Sequence, residues 1–151
     1  MTQHGSGGKD VSHRWDHMIG DRVAKPLETV ESFMAAFIAA WETGDAAAPG
    51  AFFAEDAVYH NGPMEPVKGR EAIETTLAEF MAMGGRVDVD VPHVLADESI
   101  VMTERIDHFI RPEGTVSLPV MGIFEVREGR IIAWRDYFDL NQFASAVAEE
   151  A

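Results

Sequence analysis

Residues 99–139 read SIVMTERIDHFIRPEGTVSLPVMGIFEVREGRIIAWRDYFD, and the periodicity of this stretch decides the fold. Three long strand candidates run from Ser99 to Arg111, from Thr115 to Arg127 and from Arg130 to Asp139. Turn signals separate them at Pro112-Glu113-Gly114 and at Glu128-Gly129. Antiparallel strands of this length curve or twist strongly. Just upstream, Val87, Val89 and Val91 alternate with charged residues, and Pro92 marks an edge or a bend.

Before Gly85 the period is 3.6 instead of 2. Val30, Phe33, Met34, Phe37, Ile38 and Trp41 recur at helical spacing, with Pro26 suited to the first turn and Gly44 to the stop. Asp45 is placed to cap a second short helix, interrupted by Pro49 and Gly50. A short strand carries Val58, Tyr59, His60 and Asn61, and a loop follows from Gly62 to Pro66. A further helix begins after Gly69, with Ile73, Leu77, Phe80 and Met81 on one face, and ends at Gly84-Gly85. A last helix carries Leu140, Phe143, Ala144 and Val147. Helices first and hairpins after predict an α+β domain, its helices packed on one face of a curved sheet. The domain is expected over residues 25–151, with residues 1–24 an aperiodic, flexible arm.

Charge narrows the partners. Asp and Glu number 26 against 12 Lys and Arg, a formal net charge of -14. No basic cluster exists to displace counterions, so neither nucleic acid nor an anionic membrane is an expected partner. A neutral or cationic small molecule fits better. With no cysteine, disulfides, thiolate catalysis and cysteine-ligated metals are excluded. No apolar run approaches a signal-peptide core or a membrane span, and the expected location is cytoplasmic.

Alternation then picks out polar residues in unusual places. Ile132, Trp134, Asp136 and Phe138 share one predicted face of their strand, so Asp136 is the lone charge in an apolar stripe. An unpaired carboxylate there is costly, and a buried ion pair alone would satisfy it. Arg105 and Asp107 share a face of the strand from Ser99, with Val101, Thr103 and Phe109 around them. Alone, such a pair is ordinarily a solvated one worth ~0–1 kcal/mol. Tyr59 and Asn61 also share a face. Two carboxylates joined by a guanidinium share one proton, which sets a base beside an acid. Burial raises each carboxyl pKa and Arg105 lowers it; the spacing leaves open which effect wins at each aspartate.

The runs Thr103-Glu104-Arg105-Ile106-Asp107, Gly129 to Asp139 and Phe53 to Asn61 closely resemble limonene-1,2-epoxide hydrolases, and the resemblance extends from about Leu27 to Val147. It implies a cone of helices on a strongly curved mixed β-sheet, as in nuclear transport factor two and ketosteroid isomerase. It implies that Asp136 is the general base for an attacking water held by Tyr59 and Asn61. Asp107 would be the general acid, with Arg105 bridging both aspartates. It also implies a homodimer working without metal or cofactor. Met83, Phe109, Leu118, Val120, Trp134 and Phe138 are the expected substrate-binding walls, suited to a terpene or cycloalkene oxide.

Two alternatives stand beside this reading. A ketosteroid-isomerase-like enzyme would move a proton on its substrate, using a base beside a Tyr and a protonated acid. A non-catalytic carrier of lipophilic ligands would have no reason to place Asp136 in an apolar stripe. His13 and His17 have the spacing of a helical metal pair but lie in the aperiodic arm, without a third ligand. His60, His93 and His108 are scattered, and Met64, Met81, Met83, Met102 and Met121 read as core or pocket wall.

Overall fold

The computed structural model describes residues 21–150. The chain folds as α1 (Asp21–Thr43), α2 (Ala47–Gly50), β1 (Phe53–Asn61), β2 (Val67–Lys68), α3 (Arg70–Met81), β3 (Arg86–Ala96), β4 (Ile100–Arg111), β5 (Gly114–Arg127), β6 (Arg130–Tyr137) and α4 (Leu140–Glu149). The strands form one open, curved sheet in the order β2-β1-β6-β5-β4-β3. Strands β3 to β6 pair antiparallel through consecutive hairpins, whereas β6 returns to lie parallel to β1, which makes the sheet mixed. Among the described residues, no helix is long and apolar enough to cross a membrane.

The core lies between α1, α3 and the inner face of the sheet. Phe33 is its centre, with its ring 5.2 Å from Phe53 and 5.1 Å from Trp134, both edge-on. Phe33, Phe53, Ile73, Leu77, Val101, Phe124 and Ile131 have no exposure to solvent. Each such side chain contributes about 1.5–3 kcal/mol of burial. Gly44 closes α1 with φ 74°, and its N–H donates to the Ala40 carbonyl, the left-handed stop that glycine adopts at least cost. At the other end of the chain, Asp139 caps α4 through the Asn141 N–H at 2.9 Å, and Arg111 pairs with Glu150 just beyond it.

Several elements depart from the sequence reading. Helix α1 starts at Asp21, within the expected arm, and runs through Pro26, which removes one rung of its ladder. The single turn α2 contains Pro49 and Gly50 instead of being broken by them. Strand β1 begins at Phe53, not Val58; a register shift between those residues accommodates Glu55 and Asp56, whose charges masked the alternation. The expected loop after Gly62 leads into the two-residue strand β2.

Strand β3 continues past Pro92 as a sheet edge, and its pairing slips between Asp90 and His93. Strand β6 ends at Tyr137, so Phe138 and Asp139 lie beyond it. The expected inward position of Ile132 is also corrected. Val126 pairs with Ile131 and Glu125 with Ala133, so a bulge between them leaves Ile132 without a partner and turns Ile131 into the core. Beyond the bulge the alternation holds, with Trp134 and Asp136 inside.

Candidate active site

Neighbouring strands bring the polar residues to one level on the inner face. On β4, Thr103, Arg105 and Asp107 are two apart and point the same way. Across the next ladder Thr103 faces Gly122, Arg105 faces Val120 and Asp107 faces Leu118. Strand β6 sets Asp136 opposite Gly122 and Trp134 opposite Phe124. The parallel pairing then places Asn61 beside Asp136 and Tyr59 beside Trp134.

Arg105 is 1% exposed and lies at the centre. Its Nε donates to Asp107 Oδ1 at 3.1 Å and its Nη2 to Asp107 Oδ2 at 3.0 Å. The same Nη2 donates to Asp136 Oδ2 at 2.9 Å, and Nη1 donates to Asp136 Oδ1 at 3.0 Å. Nη1 also donates to the Thr103 hydroxyl at 3.3 Å. These five bonds use the full donor set of a guanidinium, and its planar fork fixes both carboxylates at once. Trp134 Nε1 adds a bond to Asp136 Oδ1 at 2.8 Å.

Electrostatics distinguishes the groups. Burial raises the Asp136 pKa above its ordinary value of 3.8 and the Asp107 charge adds to this; Arg105 and the Trp134 N–H oppose it without cancelling it. The result is a carboxylate more basic than one in water. Burial alone would weaken the charge on Arg105, but Asp136 and Asp107 together hold its pKa well above the usual value. The Tyr59 hydroxyl is raised well above 10.0 by burial and by the Asp136 charge, so it stays protonated and able to donate. Its ring stacks on Trp134, with centroids 4.2 Å apart and planes 9° apart.

A cavity of about 200 Å³ opens above these groups. Tyr59, Asn61, Arg105, Asp107 and Asp136 all line it, as do Met83, Phe109, Leu118, Val120, Trp134 and Phe138. The polar groups converge at one place in an otherwise apolar wall. Met83 is half exposed and lies at the mouth. Met34, Phe37 and Trp41 of α1, with Phe80 and Phe143, lie on the apolar helix faces read from the sequence, and all five also line the cavity. Helical periodicity marks an apolar face without saying whether that face meets core or cavity. Strand alternation places Thr103 beside Arg105 without marking it as a partner of Nη1, and no local pattern marks the Trp134 N–H bond to Asp136.

His60 and His108 lie away from the cavity. His108 bonds Ser117 Oγ at 2.7 Å and Asp90 Oδ2 at 2.9 Å. Among the described residues no group of three or more His, Cys, Asp or Glu is placed to hold a metal ion. His13 and His17 lie outside the described residues.

Comparison with known proteins places the chain in a family. The family described as the limonene-1,2-epoxide hydrolase catalytic domain matches residues 24–149. Epoxide hydrolase EphG of Mycobacterium tuberculosis is 38% identical over 107 residues, 70% of each chain. The solved structure of a Mycobacterium tuberculosis limonene-epoxide-hydrolase-like epoxide hydrolase is 32% identical, with a TM-score of 0.66, covering 85% of this chain and 92% of that one. A nuclear transport factor two-like protein from Anabaena variabilis shares the fold at 19% identity and a TM-score of 0.69, covering 81% and 95%.

Proposed function

The chain belongs to the limonene-1,2-epoxide hydrolase family, and we propose that it adds water to a neutral lipophilic epoxide in a single step. The observation that carries this reading is Arg105 bonded to both Asp107 and Asp136 at the floor of an apolar cavity. Tyr59 donates its hydroxyl, and Asn61 presents its amide, to a water beside Asp136. Asp136 takes a proton from that water as the oxygen forms its bond to an epoxide carbon. Asp107, in its protonated form, delivers a proton to the ring oxygen as the carbon–oxygen bond breaks. The diol carries one oxygen from water and one from the epoxide. Asp136 ends protonated and Asp107 ionised, and moving that proton back to Asp107 resets the pair.

Arg105 keeps the two carboxylates at fixed separation and offsets whichever charge is present, so the proton moves without new charge appearing in the cavity. No cofactor takes part. The cavity volume is below the ~300 Å³ at which drug-sized sites begin, which favours a compact substrate such as limonene oxide or a cycloalkene oxide. A second copy would cover the outer face of the sheet, where Met102, Met121 and Tyr137 are exposed on β4, β5 and β6, which supports a homodimer. Incubation with limonene oxide tests the reading. Formation of the 1,2-diol, lost in Asp136→Asn, is the expected result. No diol from limonene oxide or from smaller cycloalkene oxides would contradict it.

A further inference from the structure

Arg105 stands on β4 and Asp136 on β6, with β5 between them. Adjacent strands are about 4.8 Å apart, so the guanidinium bridges roughly 10 Å by lying over β5. The residue of β5 beneath that crossing is Gly122, paired to Thr103 on one side and to Asp136 on the other. A Cβ there would stand 2.3 Å from Arg105 Nη1, 2.7 Å from Asp136 Oδ1 and 2.9 Å from Thr103 Oγ1. Side-chain ends often yield at little cost, but these do not. Arg105 and Asp136 are buried, and all five donors of the guanidinium are engaged. Gly122 does not have a left-handed backbone, so conformational freedom does not explain a glycine here. Within a strand, glycine otherwise weakens packing, and close approach of another group is a physical reason for it.

We propose that Gly122 is a positioning residue: its missing side chain is the slot through which Arg105 reaches Asp136, and Thr103 closes the far side of that slot. The Thr103 hydroxyl accepts from Nη1 and donates to the Gly122 carbonyl at 3.5 Å, so the two residues hold the guanidinium from both ends. A methyl at position 122 drives Nη1 and Asp136 Oδ1 apart. Arg105 is the main group that lowers the pKa of Asp136, so loosening that contact leaves burial less opposed, and the base protonates at higher pH.

This inference rests on the proposed roles of Arg105 and Asp136, and the experiment keeps the two apart. Gly122→Ala, Gly122→Ala with Thr103→Ala, and Asp136→Asn are compared with the unaltered protein by circular dichroism and by kcat and KM across pH. The expected result for Gly122→Ala is a native spectrum and a kcat about 10²-fold lower, as for a displacement of about an ångström. KM stays within a few-fold, and the acid limb of the kcat profile moves to higher pH. Removing the Thr103 side chain gives Nη1 room, so the double variant regains at least tenfold, or regains folding if the single variant does not fold. Unaltered kcat and pH limb in Gly122→Ala, or no recovery of any kind in the double variant, overturns the role of Gly122. An active Asp136→Asn instead overturns the underlying reading.

Discussion

Asp136 and Arg105 meet in a two-point contact, Oδ1 to Nη1 at 3.0 Å and Oδ2 to Nη2 at 2.9 Å, although a whole strand separates them. The guanidinium then turns its other edge to Asp107. One planar group thus sets the distance and the angle between two carboxylates, which a point charge cannot do.

Arg105→Lys is therefore expected to lose at least 10²-fold in kcat, close to the loss in Arg105→Ala. Either change leaves buried carboxylates incompletely paired, and removing one partner of a buried pair costs about 3–5 kcal/mol. Denaturant unfolding beside steady-state kinetics checks both numbers. Near-normal activity in the lysine variant would mean that Arg105 supplies only compensating charge.

Asp107→Asn and Asp136→Asn should each lower kcat by about 10²–10⁴-fold, the usual contribution of a general acid or base. Because the two act in one concerted step, the double variant should be little slower than the slower single variant. Strictly multiplicative losses would mean independent roles.

The pH profile follows from the sign of the Asp136 shift. A raised pKa means that the folded protein binds this proton more tightly than the unfolded chain. Activity, which needs the base ionised, should fall on the acid side at a pH above the 3.8 of an ordinary aspartate. The stability contribution of this group has the opposite sense: it is full below 3.8 and is lost as pH rises through the folded pKa. Trp134→Phe removes a donor that lowers that pKa, so its acid limb should lie at higher pH still. A limb that stays put in Trp134→Phe contradicts the assignment of Asp136 as the base.

Prolonged dialysis against EDTA should leave kcat unchanged, and neutral epoxides should be turned over far better than those bearing a carboxylate or phosphate. The cavity wall is apolar and the protein carries a net charge of -14. Loss of activity on chelation, restored by zinc, would require a metal role.

Much of the site was legible because strand period is a local property. Thr103, Arg105 and Asp107 fall on one face by counting in twos, and so do Trp134 and Asp136. Short turns then make β4, β5 and β6 neighbours. What sits outside local reading is of three kinds. The parallel return of β6 beside β1, which brings Tyr59 and Asn61 to Asp136, joins segments some 75 residues apart, and no turn between them records it. The bulge opposite Ile132 exchanges two adjacent isoleucines, and nothing in Ile131-Ile132 distinguishes them. Gly122 matters through an atom it lacks, so its meaning appears only once Arg105 is seen crossing above it.

Direct attack by water is tested by a single turnover in ¹⁸O-labelled water, with enzyme in excess over epoxide. A larger class of epoxide hydrolases uses an aspartate as nucleophile, so a covalent ester is the serious competitor. Here Asp136 is held at both oxygens by Arg105 and at one of them by Trp134, which leaves the carboxylate restrained while a proton can still reach it. The first diol formed should carry one heavy oxygen, and the protein none. A first diol with only ordinary oxygen, and label appearing afterwards in Asp136 or Asp107, would contradict it.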